Sequence, residues 1–271
     1  MVKVIPLRYG TIFKRIFSQP KVFQAFAEDV LGLKLNITKV HTEYEYPKPI
    51  GFVKTAYAED EEQRVTVEIQ HVKEGDFFDR FLYYHLISLA EQVKSYQDYS
   101  FAHAVYTIVV LTSVPRDGTI NFSHGVSDMS PRTEFGNRVA VYPHRLIFLV
   151  PRLVNEQTPP AIREWLELIL DSLDEEVQES AHPRPLFQEM IAAMRQTTIS
   201  PEMLAEIKDD AAWERAKTRF RREGHASGLE EGDRKRAIET ARRMLQKGFE
   251  PTVVAEMTDL PVAEVNQVLG K

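Results

Sequence analysis

The chain has 271 residues, 43% of them hydrophobic, and a formal net charge of −6. That length suits one medium α/β domain with a small appendage, or two small domains, and the apolar share is enough for a real core. It contains no cysteine, which excludes disulfides, zinc–thiolate sites, iron–sulfur clusters and cysteine nucleophiles and makes a reducing cytoplasmic setting the natural expectation.

The acidic balance gives nucleic acid no attraction from the overall field, so any such contact has to come from local groups. No run of roughly 18 apolar residues occurs, so no membrane contact is expected. The first ten residues hold too short an apolar stretch for a signal peptide.

Residues 12–17, Ile-Phe-Lys-Arg-Ile-Phe, predict a helical turn. A helix follows over 19–31, where Val22, Phe23, Phe26, Ala27, Val30 and Leu31 recur at helical spacing between Pro20 and Gly32. Residues 37–46 are β-branched and aromatic, 47–51 read as a turn, and 52–58 read as a strand. The polar stretch 59–63 then joins that strand to a second one at 64–70, making a hairpin.

A long helix is expected over 76–96, with Phe77, Phe78, Phe81, Leu82, Leu86, Leu89, Val93 and Tyr96 as its buried stripe. The continuous apolar run 104–111 suits a strand buried on both faces. Residues 113–140 read as loop and 145–150 as a further strand. Ile162, Trp165, Leu166, Ile169 and Leu173 mark another amphipathic helix after Pro159 and Pro160. This order predicts an α/β domain over residues 1–200, a mixed β-sheet flanked by helices.

From about residue 201 the composition shifts to Gly, Arg, Glu and Ala. Gly224, Gly228 and Gly232 recur every fourth residue, on one side of any helix. Each costs a helix roughly 1 kcal/mol relative to alanine, so 201–236 is expected as a charged, Gly-spaced helical connector. Residues 237–271 read as a small helix-turn-helix-like module. Its last helix, 261–269, holds no Lys or Arg, so a basic recognition helix is not expected. The clusters at Arg215, Lys217, Arg219, Arg221 and Arg222 and at Arg234, Lys235, Arg236, Arg242 and Arg243 are interleaved with acidic residues and read as solvated helix faces.

The strand at 64–70 carries the chemistry. Val65, Val67 and Ile69 alternate with Thr66, Glu68 and Gln70, so a carboxylate and an amide share one face about 7 Å apart. By pattern alone such a face is the solvated side of a sheet. Paired with a second carboxylate, Glu68 would hold a hard divalent cation that activates water. Phosphate-binding Gly-rich loops, dinucleotide fingerprints, His-Glu-x-x-His and Gly-x-Ser-x-Gly are all absent, which argues against nucleotide hydrolysis and dinucleotide redox chemistry.

Four segments in order carry a family resemblance: Ile12-Phe13-Lys14-Arg15-Ile16-Phe17, Val67-Glu68-Ile69-Gln70, Phe78-Asp79-Arg80-Phe81-Leu82-Tyr83-Tyr84 and Ala90-Glu91-Gln92. Together with the Gly-repeat tail they resemble the PD-(D/E)XK nuclease family transposases. The resemblance implies a restriction-endonuclease-like α/β core and Mg²⁺- or Mn²⁺-dependent cleavage of DNA in recombination. Glu68 falls at the metal carboxylate and Gln70 at the polar helper that replaces the usual lysine. Lys14 falls at the basic position of the first segment, and Arg80 at the arginine opening the second helix.

The sequence departs from that pattern on the strand before Glu68, where an Asp is expected. Residues 54–58, Lys-Thr-Ala-Tyr-Ala, hold no carboxylate. Gly10 also stands where an acidic residue is common. A second metal ligand would therefore come from Glu59 or Asp60 by a shift of register, or the site would lack catalysis. The alternative expectation is a catalytically degenerate nuclease-fold protein that binds nucleic acid or protein. A homo-oligomer assembled through the C-terminal tail is a third.

Overall fold

The computed structural model describes the backbone of residues 1–42, 44–46, 51–53, 56–70, 77–93, 100–114 and 118–268, and the side chains of those residues apart from 44–46, 51–53, 77, 206, 210, 213–231 and 233. In chain order the elements are β1 (Val2–Lys3), α1 (Gly10–Phe17), α2 (Pro20–Leu31), β2 (Tyr44–Tyr46), β3 (Gly51–Val53), β4 (Ala56–Glu59), β5 (Gln63–Gln70), α3 (Phe77–Ala90) and β6 (Ala104–Leu111). They continue with β7 (His124–Asp128), β8 (Arg145–Leu149), α4 (Pro160–Ser172), β9 (Glu176–Val177), α5 (Pro185–Met194), α6 (Pro201–Gln246), α7 (Pro251–Thr258) and α8 (Val262–Val268). The chain divides into two compact units, Met1–Ile207 and Lys208–Lys271.

In the first unit a five-stranded mixed sheet has the order β4-β5-β6-β8-β7. The central pairs β5–β6 and β6–β8 are parallel, and the outer pairs β4–β5 and β7–β8 are antiparallel. This is the restriction-endonuclease-like α/β arrangement, a mixed sheet flanked by helices. Among the described residues the hairpin of 52–58 with 64–70 is realised in its inner half, by β4 on β5. Gly51–Val53 pairs with Tyr44–Tyr46 in a separate two-stranded sheet, and Lys54 and Thr55 lie outside the described residues. Of the β region expected at 37–46, the described residues keep a bridge at His41, which pairs with Tyr57, and the short strand β2.

One face of the sheet is apolar at its centre. Val65 and Val67 of β5, Ile108 and Val110 of β6 and Ile147 and Leu149 of β8 join Ile12, Phe13, Ile16 and Phe17 of α1, Phe23 and Phe26 of α2, Trp165 of α4 and Phe187 of α5 in one buried cluster. Trp165 is the hub. Its ring lies edge-on to Phe26 at 5.0 Å and to Phe187 at 4.8 Å. Its indole N–H donates to Asp29 Oδ2 at 2.7 Å, and Arg184 donates to the same oxygen at 2.6 Å. Capping follows the sequence: α2 opens on Pro20 and closes at Gly32, whose φ of 68° is a left-handed conformation that costs glycine little.

The opposite face lies beneath α3, and here the expected stripe is corrected. Leu82 and Leu86 are 44% and 40% exposed, whereas Phe81, Tyr84, His85, Ser88, Leu89 and Gln92 are buried. These six sit at i, i+3, i+4, i+7, i+8 and i+11, as regular a helical face as the leucine one. The helix presents the set that places His85 against Thr107, 2.9 Å from its hydroxyl. Phe77 falls outside the described side chains, and Tyr96 outside the described residues.

Four elements went unforeseen: β7, α5 and the two short strands β1 and β9, which pair with each other. β7 lies inside the stretch read as loop, because its sequence His-Gly-Val-Ser-Asp has almost no β pattern of its own. Pairing to β8 supplies it. α5 lies in a region for which no element was expected.

α6 runs unbroken for 46 residues through both the Gly-spaced stretch and 237–246, and its residues from Lys208 onward belong to the second unit. Ala241 and Leu245 of α6 pack with Val254 and Ala255 of α7, Leu260, and Val265 and Val268 of α8. Gly248 at φ 86° turns the chain out of α6. Arg234 pairs with Glu264 at 2.9 Å.

Candidate functional site

β5 places its residues as the alternation requires. Val65 and Val67 are fully buried in the apolar cluster, and Thr66 and Glu68 point to the α3 side. That side is dry, contrary to the solvated face the pattern suggested, because α3 crosses it between the parallel strands β5 and β6. Glu68 is 3% exposed. In the parallel register it lies level with Val109, and Thr66 lies level with Thr107.

Around Glu68 the covered face is mixed. Phe81, Tyr84, Val109, Leu111 and Phe148 supply apolar contacts, while Thr66, Thr107, His85 and Ser88 are buried polar groups. His85 Nδ1 and Thr107 Oγ1 are 2.9 Å apart. Burial, and then His144 nearby, push the His85 imidazole down to about 4, so it is neutral at pH 7. His144 Nδ1 accepts the Val105 N–H at 3.0 Å, which fixes its own proton on Nε2 when neutral.

Burial drives the Glu68 carboxyl up to about 8, against the opposing pull of the Arg80 guanidinium. Burial likewise raises the Tyr84 phenol, with Arg80 opposing and Glu68 reinforcing. Arg80, Tyr84 and Glu68 thus form one electrostatic group. Glu68 Oε1 is buried and has no hydrogen-bond partner among the described residues. Gln70, two residues on, is half-buried at the end of β5, and its carbonyl accepts from the Thr112 N–H at 2.9 Å.

The other expected site residues are placed elsewhere. Asp60 caps the hairpin turn: Oδ1 accepts from the N–H groups of Glu62 and Gln63 at 3.0 and 2.7 Å, and Oδ2 from that of Asn36 at 3.2 Å. Glu59 lies opposite Arg64 in the β4–β5 register and accepts from its Nε at 2.5 Å. Burial raises the Glu59 carboxyl, but bonds from Tyr57 and Arg64 outweigh it and hold it below its ordinary value.

Arg64 precedes Glu68 by four positions, about 13 Å along a strand at ~3.3 Å per residue. Glu59 and Glu68 therefore cannot share an ion. Lys14 is half-buried on α1, whose apolar residues pack on the Val65 and Val67 side of the sheet, opposite the side that carries Glu68. The structure brings Glu68 together with Gln70, Arg80 and Tyr84, and not with Glu59 or Asp60.

A magnesium site wants one or two carboxylates with waters in near-octahedral order. Among the described residues no group of three His, Asp or Glu is placed to hold a metal. Glu68 offers one carboxylate whose charged form is disfavoured, so these residues fall short of the donor set. Sequence reasoning named Arg80 but missed Tyr84, His85 and Thr107. The signal was the i, i+4 recurrence of Arg80, Tyr84 and Ser88 on α3.

No helix among the described residues is long and apolar enough to cross a membrane. No curated protein and no solved structure matches the chain. A family model, PD-(D/E)XK nuclease family transposase, matches residues 11–218, which takes in the whole five-stranded sheet, α3 and Glu68. The chain belongs to the PD-(D/E)XK nuclease family transposases.

Proposed function

We propose that the chain acts on DNA as a nuclease-fold protein whose hydrolytic centre is reduced to one acidic residue, Glu68, with Gln70 beside it. DNA binding then persists while metal-dependent cutting is lost. The observation that carries this reading is the division of the carboxylates. Glu68 is buried and unpartnered at Oε1, while Glu59 and Asp60 are committed to Arg64 and to the hairpin turn.

A carboxyl held near 8 is mostly protonated at pH 7 and attracts a divalent cation weakly. Arg80, exposed on the first turn of α3 and close enough to act on Glu68, supplies a local cation for a phosphate. Lys14 of α1 is a second candidate phosphate contact.

The test uses the purified full chain, a labelled duplex, and supercoiled plasmid in Mg²⁺ or Mn²⁺. The expected result is duplex binding that weakens with salt and with Arg80→Ala, and plasmid cleavage no greater than that of Glu68→Ala. Cleavage that needs the metal and disappears in Glu68→Gln overturns the reading.

A second reading is favoured by the orphaned Oε1 itself: an active Mg²⁺- or Mn²⁺-dependent endonuclease in which the cation supplies the charge partner that Glu68 lacks. Gln70 would then orient water or phosphate. Calorimetric Mn²⁺ binding at millimolar strength or tighter, abolished by Glu68→Gln, selects it.

A further inference from the structure

The two edges of the central sheet are finished differently. The β4 edge is covered: His41 exchanges both backbone hydrogen bonds with Tyr57, at 2.7 and 2.8 Å. At the β7 edge the Ser123 carbonyl accepts the Val150 N–H at 2.8 Å, so residues 123, 125 and 127 face β8. The backbone groups of His124, Val126 and Asp128 therefore face outward, and no hydrogen bond to them is found among the described residues.

Open edges are normally blunted by Lys, Pro or a bulge. β7 has none of these, and its central Val126 is 49% exposed. The following segment extends the apolar surface. Met129, Val139, Val141 and Tyr142 are exposed, and Phe135 is 82% exposed. It sits at the tip of a turn in which the Thr133 N–H donates to the Asn137 carbonyl and the Gly136 N–H to the Thr133 carbonyl, both at 2.9 Å. Such a concentration of apolar side chains marks an interaction surface.

We infer that the β7 edge and the 129–142 segment form a two-fold interface with a second copy of this chain, β7 pairing antiparallel with β7 across an axis at Val126. Two observations choose this occupant. The outward row is centred on Val126, so Val126 meets Val126 and His124 meets Asp128 of the second copy. No like charges are opposed. Residues 124–143 carry two acidic and two basic residues, Asp128, Glu134, Arg132 and Arg138. That neutral patch spares two chains of net charge −6 their mutual repulsion and gives nucleic acid no cationic surface. An isologous contact also closes on itself and so stops at a dimer. The inference does not depend on whether Glu68 supports catalysis.

The test is the mass of the full chain in solution by light scattering over a range of concentrations, with far-UV circular dichroism to monitor folding. Wild type is expected at twice 31.2 kDa. Val126→Lys, which opposes two ammonium groups at the axis, is expected to weaken association by at least ~10-fold with an unchanged spectrum.

The chain has no cysteine, so Val126→Cys places a single thiol at the axis. Antiparallel partners of the hydrogen-bonded kind have Cα atoms about 5.5 Å apart, within disulfide range. Mild oxidation should cross-link Val126→Cys and leave the control Gln157→Cys monomeric on denaturing gels. A wild type that is monomeric at every concentration overturns the inference. So does a dimer indifferent to Val126→Lys and uncross-linked through Val126→Cys, as assembly through the C-terminal tail would be. A monomer that takes an unrelated extended peptide on β7 overturns it in favour of a foreign strand.

Discussion

The two faces of the central sheet come from the same strands and have opposite character. Toward α1, α2, α4 and α5 the strands meet a large apolar cluster organised around Trp165, with Thr11 and Ser172 the buried polar residues of α1 and α4. Toward α3, apolar residues share the surface with Thr66, Glu68, His85, Ser88 and Thr107. Local propensity cannot explain the contrast, since both faces belong to the same strands in the same extended conformation. Alternation separates the two roles. The even-numbered residues of β5 carry ionisable and polar groups at a cost in stability, and the odd-numbered residues supply the burial that offsets it.

The largest effect is expected on the apolar face. Trp165→Ala removes a fully buried indole, its edge contacts to Phe26 and Phe187 and its bond to Asp29. Urea unfolding should show a loss of ~3–5 kcal/mol. A loss smaller than that of any single substitution under α3 would break the division of labour.

Next comes the pH dependence of the polar face. Glu68 rises in the folded state from 4.5 to about 8. The folded chain keeps a proton that the unfolded chain releases, so its contribution is fully favourable below about 4.5 and is lost as pH climbs to about 8. His85 falls from 6.5 to about 4, so its contribution is complete above 6.5 and is lost as pH drops toward about 4. Between 4.5 and 6.5 the two slopes oppose and cancel, and above 6.5 only the Glu68 decline remains.

Glu68→Gln should therefore gain on wild type as pH rises from 4.5 to 8, by an amount on the order of a few kcal/mol. The variant should also uncover the acid-side decline of His85. Melting curves across that pH range decide it. A constant difference between the two proteins would mean that Glu68 is charged in the fold.

A smaller effect is expected from His85→Phe. A somewhat larger aromatic ring takes the place of the imidazole, and the Thr107 hydroxyl loses its partner in a buried setting. Leaving such a group unsatisfied costs about 1–3 kcal/mol. The acid-side decline should vanish with it, which separates the lost bond from the lost titration.

These residues also show how far the sequence was legible. Capping and periodicity fixed α2 and α4 to within a residue or two, because Pro20, Gly32 and Pro160 mark boundaries by local backbone preference. Glu68 and Gln70 were legible as a pair because alternation assigns strand faces directly. The register of α3 was not. A helix apolar on nearly all sides has two plausible stripes, and the one buried is the one that meets Thr107 and the apolar residues of β6 and β8, which reach it only through the fold. The fate of Asp60 was hidden likewise. Its carboxylate is occupied by Asn36, a residue 24 positions away, and by two turn amides, and neither contact follows from spacing on a strand. β7 stayed invisible because an edge strand of His, Gly and Ser borrows its conformation from β8.

The smallest effect sharpens what polarity under α3 means. Ser88 is buried, yet its hydroxyl donates back to the Tyr84 carbonyl one helical turn earlier. That carbonyl already belongs to the helical ladder, so deleting the hydroxyl leaves no orphaned acceptor. The longer-range contacts at this position go to the backbone instead: Arg64 Nη1 donates to the Ser88 carbonyl at 3.2 Å and Gln92 Nε2 at 3.4 Å, and alanine keeps both. Alanine is also the better helix former by a few tenths of a kcal/mol. Ser88→Ala should therefore change unfolding free energy by less than ~0.5 kcal/mol and leave the pH profile of Glu68 unaltered. A larger loss would mean that the hydroxyl serves the buried group around Glu68 rather than its own helix. The polar face would then act as one connected network, in which Glu68 and His85 are not separable contributors.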